Sequence, residues 1–329
     1  MKLTRMAFAA NMLINQVLEL KKGESVLIIT DTDCSSSITE AIAYSAISAG
    51  GQVMVMTMEP QTIGGEEPPS PVAAAMAVAK VVINQSTQSL THTEAVREAM
   101  KKGARIANLR SFTEEMMVNG GINADYQQVR KVSNHLAGLL SKTNKIRLTT
   151  PQGTDLMMWA EGRNAIAQTG FVTQSGMLSG LPDGESTLAP IEGVSEGLIV
   201  SPYIADQLGR ITDPLQIEIR KGKICGITGG KEAVALKKLL ESKDEAGYNA
   251  ASQFALGTNP ACRIVPNTRE VGKKLGTAHI AIGDNRSLGG KSCSSFHIDF
   301  VFLNPSVYFD DVCILKDGEY QIELSSDID

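Results

Sequence analysis

The chain has 329 residues, 43% hydrophobic and 20% charged, with a net charge of −5 and aromatic residues at only 5%. That length and balance suit one large or two medium globular domains. The acidic charge and scarce aromatics exclude a phosphate-backbone or base-stacking role, so no nucleic-acid partner is expected.

Residues 1–20, MKLTRMAFAANMLINQVLEL, place Lys2 and Arg5 ahead of an apolar run, the outline of a signal peptide. Asn11, Asn15 and Gln16 interrupt that run, and no small-residue cleavage site follows. Met6, Ala9, Ala10, Leu13, Val17 and Leu20 instead recur at helical spacing and predict an amphipathic helix. No apolar run is long enough to span a membrane. The five scattered cysteines (Cys34, Cys225, Cys262, Cys293, Cys313) form no Cys-x-x-Cys pair and fit a reduced compartment. A cytoplasmic protein with no membrane partner is expected.

Strand and helix then alternate. SVLIIT at 25–30 is a continuous β-rich run, as in a strand buried on both faces. A helix over 36–49 ends at Gly50-Gly51, and QVMVMTM at 52–58 is the next strand. KVVIN at 80–84, a helix over 93–102, RIANL at 105–109 and a long helix over 124–140 follow. This order predicts a parallel sheet with helices on both faces. The first strand runs into Asp31-Thr32-Asp33-Cys34-Ser35-Ser36-Ser37, a strand-end loop of the kind that binds ligands. It has no Gly-x-Gly-x-x-Gly and no P-loop, and Ser36 or Ser37 as a plain helix cap is the simpler reading. The Pro-rich loop 66–71 is punctuation or a lid.

From Lys145 the pattern changes. KIRLTT at 145–150 and residues 155–159 flank Pro151-Gln152-Gly153-Thr154, a hairpin signal. Residues 215–220 and 223–228 flank Lys221-Gly222, a second hairpin. A helix over 231–240 precedes short strands at 278–282, 296–302 and 307–315. The expected fold class is α/β: an N-terminal parallel-sheet α/β domain over 1–144, then an α+β, antiparallel-rich metal-binding domain over 145–329.

The chemistry concentrates in SSFHIDFVF at 294–302. Phe296, Ile298, Phe300 and Phe302 alternate as one apolar face, which leaves His297 and Asp299 side by side on the other. Both are metal-ligand types on a rigid element. Alone, the pair equally describes a buried His–Asp hydrogen bond. His279 lies in a second apolar strand, Thr277-Ala278-His279-Ile280-Ala281-Ile282-Gly283, and the turn-rich DNRSLGG at 284–290 can return the chain to pair the two. His92 and His135 fall in helices and read as solvated or capping residues. Glu185 leaves a Pro182-Asp183-Gly184 turn and, taken alone, reads as surface.

In order, Pro182-Asp183-Gly184-Glu185, Gly257-Thr258-Asn259-Pro260, His279-Ile280-Ala281-Ile282-Gly283 and His297-Ile298-Asp299 resemble the metallopeptidase family of aminopeptidases T and S. Gly289-Gly290 is also in place, and KKGESVLI at 21–28 is similar to that family's first strand and its approach. The resemblance implies a cytoplasmic homodimer with a two-metal site. There Glu185, His279, His297 and Asp299 fall on metal-ligand positions, with Glu185 and His279 also catalytic. The family has a second glutamate four residues before the glycine of Gly-Thr-Asn-Pro, where this chain has Gln253. A neutral amide is a poor bridge between cations held about 3.5–4 Å apart. The chain is also shorter than those peptidases. The 2,5-dihydroxypyridine 5,6-dioxygenases resemble compact members of the same fold that hold one ferrous iron with His, Asp and one Glu. His297-Ile298-Asp299 followed by Val307-Tyr308-Phe309-Asp310-Asp311 resembles their C-terminal block.

The leading expectation is a metal-dependent hydrolase. A Zn, Co or Mn ion on Glu185, His279, His297 and Asp299 would polarise the carbonyl of a small-molecule or short-peptide substrate and activate bound water. Glu192 or Glu196 would be the general base, and Gly289-Gly290 would let substrate approach the backbone. The alternative is a mononuclear Fe(II) ring-cleaving dioxygenase acting on small aromatic or N-heterocyclic acids, with His279 as acid/base. A non-catalytic binding protein on the same fold is the third reading.

Overall fold

The computed structural model describes residues 2–62, 64–91, 93–242 and 244–324; His92, expected to open a helix, lies outside the described residues. The chain divides into two compact units, Met1–Tyr126 with Gly170–Asp183, and Gln127–Thr169 with Gly184–Asp329.

In the first unit, the βα alternation yields a parallel sheet. Its spatial order is Gln52–Met58, Ser25–Asp31, Val81–Gln85, Arg105–Asn108, Leu178–Gly180. Ser25–Asp31 is buried beyond Ser25, as its unbroken apolar run implies. Gln52–Met58 is instead an edge strand with Met54 and Val55 exposed. The helix Lys2–Met12 continues into a π-turn, Leu13–Val17, and buries Met6, Ala9, Ala10, Leu13 and Val17.

The helix Ser36–Ser48 takes Ser35, not Ser36 or Ser37, as its N-cap residue, and Ser35 makes no side-chain cap bond. The hydroxyls of Ser35 and Ser37 donate instead to Glu114 at 3.0 and 2.6 Å. The Pro-rich loop is anchored rather than free. Glu67 accepts from the backbone N–H of Glu94 and, at 3.2 Å, of Ala95 in the first turn of Glu94–Lys101. That places a carboxylate where a helix start favours one. A cleft of about 510 Å³ opens beyond the carboxyl ends of the parallel strands, lined by Asp33, Cys34, Thr87, Ser111, Phe112 and Glu114.

The second unit carries two antiparallel sheets. One is eight-stranded and contains both expected hairpins, Lys145–Thr149 with Asp155–Trp159 and Leu215–Arg220 with Lys223–Gly229. The other is seven-stranded: Gly209–Arg210, Ile204–Ala205, His297–Phe302, Ala278–Gly283, Gln253–Gly257, Glu185–Leu188, Ile166–Gln168. One apolar cluster joins them. Ile146, Leu148, Leu156 and Ile217 of the first sheet meet Phe254, Ile280, Ile298 and Phe300 of the second. Phe254 and Phe309 touch edge to face across it, with centroids 6.4 Å apart.

The partition departs from a single cut at 144/145 in two places. Leu136 and Leu140 of the helix Tyr126–Leu140 pack into the second unit's core, so nearly all of that helix belongs there. Leu178–Gly180 returns to pair with Arg105–Asn108 in the parallel sheet. The expected strand over 307–315 is two strands, Ser306–Phe309 and Val312–Lys316. Asp310 turns the chain between them at φ 52°, and its carboxylate accepts the Lys145 N–H at 3.0 Å. Among the described residues, no helix is long and apolar enough to cross a membrane.

Candidate metal centre

Residues directly opposite one another in antiparallel strands point to the same face of the sheet. Gly283 pairs with His297, Ala281 with Asp299 and His279 with Val301. On the next strand Gln253 lies opposite Ala281 and Ala255 opposite His279. One strand further, Gly257 lies opposite Glu185. Glu185, Gln253, His279, His297 and Asp299 therefore share one face of four adjacent strands. Small residues (Ala255, Gly257, Ala281, Gly283) fill the positions between them. The opposite face is the apolar one, Phe254, Ile280, Ile298 and Phe300, all buried in the core. Glu185, read from its flanking turn as surface, starts the strand Glu185–Leu188 and is 1% exposed.

The side chains stand as two pairs. His279 Nε2 is 3.3 Å from Glu185 Oε2 and 3.4 Å from the Gln253 side-chain nitrogen. His279 Nδ1 is buried without a hydrogen-bond partner. His297 Nδ1–H donates to the Asp284 carbonyl at 2.7 Å, which turns Nε2 toward Asp299 Oδ1 at 3.1 Å. Among the described residues, no three His, Cys, Asp or Glu side chains already converge on one point that would hold a metal ion.

Lys273 is a member of this face that sequence reasoning missed. Its ammonium contacts Glu185 Oε2, with the two side chains 16% and 1% exposed. The Gly-Thr-Asn-Pro motif explains how it arrives there. A Cβ on Gly257 would lie 2.2 Å from the Lys274 carbonyl, so only glycine lets that backbone cross the strand. Asn259 N–H then donates to the Lys273 carbonyl and Leu275 N–H to that of Asn259, each at 2.9 Å. Thr258 N–H donates to Gly184 O at 3.0 Å, fixing the residue before Glu185. The motif thus docks Lys273 onto the carboxylate opposite its own glycine.

Burial pulls the His297 imidazole down, but Asp299, the Asp284 carbonyl and Asp206 more than offset it and push it up to about 9. Burial likewise works to raise Asp299, but His297, His279 and Lys273 hold it well below the usual carboxylate range. A raised histidine stabilises the fold fully below its unfolded value of 6.5 and loses that effect as pH climbs through about 9. A depressed Asp stabilises above its unfolded value of 3.8 and loses that effect on acidification. After treatment with a chelator, the stability contributed by this pair is expected to be greatest between pH 3.8 and 6.5. Thermal melts across pH test this, and His297→Gln is expected to flatten the fall between 6.5 and 9. The His297 side chain is 35% exposed, so solvent screens part of the effect and the shift is expected to be small.

Neither expected general base lies on this face. Glu192 is held by Arg163, by the Asn285 amide at 2.9 Å and by Lys291 N–H at 2.6 Å. Glu196 is exposed on a strand of the other sheet, where it accepts from Lys221 N–H at 2.8 Å. Gly289-Gly290 has a local role in its own turn: Gly289 has φ 79°, and a Cβ on Gly290 would strike the Asn285 side chain at 2.2 Å.

A family model described as 2,5-dihydroxypyridine 5,6-dioxygenase matches residues 7–322. The curated 2,5-dihydroxypyridine 5,6-dioxygenase of Pseudomonas putida KT2440 is 23% identical over 257 residues, 74% of this chain and 72% of that protein. The solved structure of 2,5-dihydroxypyridine dioxygenase from the same strain superposes with a TM-score of 0.78 at 20% identity, covering 98% of each chain. AmpT from Thermus thermophilus superposes at 0.70 with 15% identity, covering 97% of this chain and 99% of its own. At those identities the two structures speak to the fold, which they share with this chain. The family model and the curated relative overturn the expected metal-dependent hydrolase and agree with the dioxygenase alternative.

Proposed function

The chain belongs to the 2,5-dihydroxypyridine 5,6-dioxygenase family of enzymes, and on that premise we propose that it is a mononuclear Fe(II) dioxygenase that opens a hydroxylated pyridine ring. One observation carries the reading. Two imidazoles and one aspartate share a rigid sheet face, while Glu185 is already neutralised by Lys273. Two histidines and one carboxylate form the donor set that suits non-haem Fe(II). His279, His297 and Asp299 would hold the metal, with His279 replacing Glu185 in the His, Asp and Glu set that the resemblance implied because Lys273 already pairs with Glu185. When bound, Fe(II) supplies open positions for a ring hydroxyl and O₂.

The chain's own residues do the rest. The Asp284 carbonyl holds the Nδ1 proton of His297, which fixes the tautomer and leaves Nε2 as the donor atom. Asp299 supplies the negative charge. Glu185, buried and held by Lys273, is a second carboxylate on the same face, beside His279. Ala255, Ala281 and Gly283 keep the face shallow between the donors, so a flat ring can lie against it. All five cysteines are unpaired, which supports the companion proposal of a reduced, cytoplasmic setting; a homodimer belongs to the same proposal.

The test is oxygen uptake by the Fe(II)-loaded chain, prepared without air, with 2,5-dihydroxypyridine and a panel of other hydroxylated pyridines. About one O₂ consumed per ring opened is the expected result for a dioxygenase. Iron bound at the site with no uptake across the panel would contradict it.

A further inference from the structure

The Asp284 carbonyl that accepts the His297 Nδ1–H bond shares one peptide group with the Asn285 N–H. A peptide group is planar and almost always trans, so its C=O and N–H point in opposite directions. The Asn285 N–H donates to the Ser292 carbonyl at 3.1 Å. Fixing that N–H fixes where the Asp284 oxygen points, and with it where His297 sets its Nδ1 proton. Asn285 is fully buried and uses every polar group it has. Its side-chain oxygen accepts the Ser292 N–H at 2.8 Å. Its own carbonyl accepts the Leu288 N–H at 3.0 Å and the Gly290 N–H at 3.1 Å.

The Asn285 amide nitrogen reaches out of the turn to Glu192 Oε1 at 2.9 Å, and the same oxygen accepts the Lys291 N–H at 2.6 Å. Arg163 pairs with the other Glu192 oxygen and donates to the Gly289 carbonyl at 3.2 Å. One largely buried ion pair thus grips the 284–292 turn at Asn285, Gly289 and Lys291 together. From the other side, the Ser292 hydroxyl donates to the Gly283 carbonyl and accepts from the Asn249 amide, each at 2.6 Å. Gly283 is the residue opposite His297. Desolvation offsets much of the attraction within a buried ion pair, so stability alone is a poor account of it. What the pair supplies here is a fixed place for one peptide group.

We propose that Glu192 and Asn285 are positioning residues: they hold the Asp284 carbonyl against the His297 Nδ1–H, and so aim His297 Nε2 onto the donor face for a metal. The bearing on metal rests on the reading of that face given above; the clamp itself belongs to the metal-free chain. Glu192, expected as a general base, acts instead through Asn285 and Asp284 on an imidazole it does not touch. Without this support the Asp284 peptide can rotate, the Nδ1 proton loses its acceptor, and either ring nitrogen can face Asp299. Losing such a supporting partner costs a metal site about 10–100-fold in affinity.

The test uses the full chain carrying isotopically labelled histidine, first without metal. The His297 ring N–H signal is read by NMR and identified as the one missing from His297→Gln; Mn(II) affinity is then measured by titration. Wild type and Arg163→Lys, which keeps a cation beside Glu192, are expected to show a downfield Nδ1–H signal protected from exchange with water. Glu192→Ala and Asn285→Ala are expected to lose that signal and to bind Mn(II) about 10–100-fold more weakly. A merely structural role would lower the melting temperature and leave the ring signal and the affinity of the folded chain unchanged, and that result would overturn the proposal. Should Asn285→Ala fold poorly, Glu192→Ala decides alone, because it removes the anchor from outside the turn and leaves the turn's own backbone bonds in place. Loss of the ring signal with unchanged Mn(II) affinity would also overturn the proposal. A wild-type chain that takes no Mn(II) would remove the metal reading, and the clamp would then stand or fall on the ring signals of the two alanine variants.

Discussion

Asp299→Ala is expected to abolish metal retention and oxygen uptake while leaving the fold intact. Asp299 is the one carboxylate that shares the face with His297 and His279 on the two central strands and is not already occupied by a lysine contact. Removing even a supporting partner of a metal ligand costs 10–100-fold in affinity or activity, as a typical range. Removal of the ligand itself is expected to exceed about 100-fold on that scale. The side chain is 28% exposed and its ion-pair partner His297 35%, so the cost in stability is expected to stay within about 1 kcal/mol. Iron content after gel filtration, oxygen uptake and a urea melt together check this. Full iron occupancy in the variant would remove Asp299 from the donor set.

Phe300→Ala, one residue along the same strand, is expected to do the reverse. Phe300 is fully buried, opposite Ile280 on one neighbouring strand and Ala205 on the other. Its ring points into the core shared by the two sheets. Truncating a buried Phe removes its transfer free energy and leaves a cavity, together worth about 3–5 kcal/mol. The urea midpoint of the second unit is expected to fall accordingly with little change in slope. Iron stoichiometry at low denaturant is expected to hold, because the substitution leaves the donor face untouched. Loss of iron without loss of stability would show that the two faces of this strand are not the separate devices described here.

That division of labour is legible in the amino-acid sequence alone. The alternation Phe296, Ile298, Phe300, Phe302 against His297 and Asp299 is a period of two, and period two means opposite faces. The turn-rich 284–290 segment between two apolar strands does return the chain, and the strands pair antiparallel. The parallel sheet follows from βα order. The features that the sequence conceals are long-range or short. Lys273 meets Glu185 across 88 residues, and no local pattern around Lys273-Lys274 marks it; only Gly257, with space for another backbone, hints at a docking segment. Glu185 is obscured by the turn before it, because a four-residue strand is too short to show a period. Leu178–Gly180, three residues long, gives no sign that the chain revisits the first sheet.

The hydrolase expectation fails for the same reason. The four ordered motifs build one face of a fold that the dioxygenase structure and AmpT both have. Hydrolase and dioxygenase readings differ in what surrounds the donors. Gln253 is visible in the sequence and points away from two metals. Lys273, which points the same way, becomes visible only when the sheet is assembled.

The most direct measurement is X-ray absorption fine structure at the iron edge of the Fe(II)-loaded chain. The expected spectrum shows two imidazole rings and oxygen donors around a single iron, with no metal–metal scatterer at about 3.5–4 Å, the separation typical of paired metals. A metal–metal signal at that distance, or iron without imidazole scattering, would contradict the mononuclear site built from His279, His297 and Asp299.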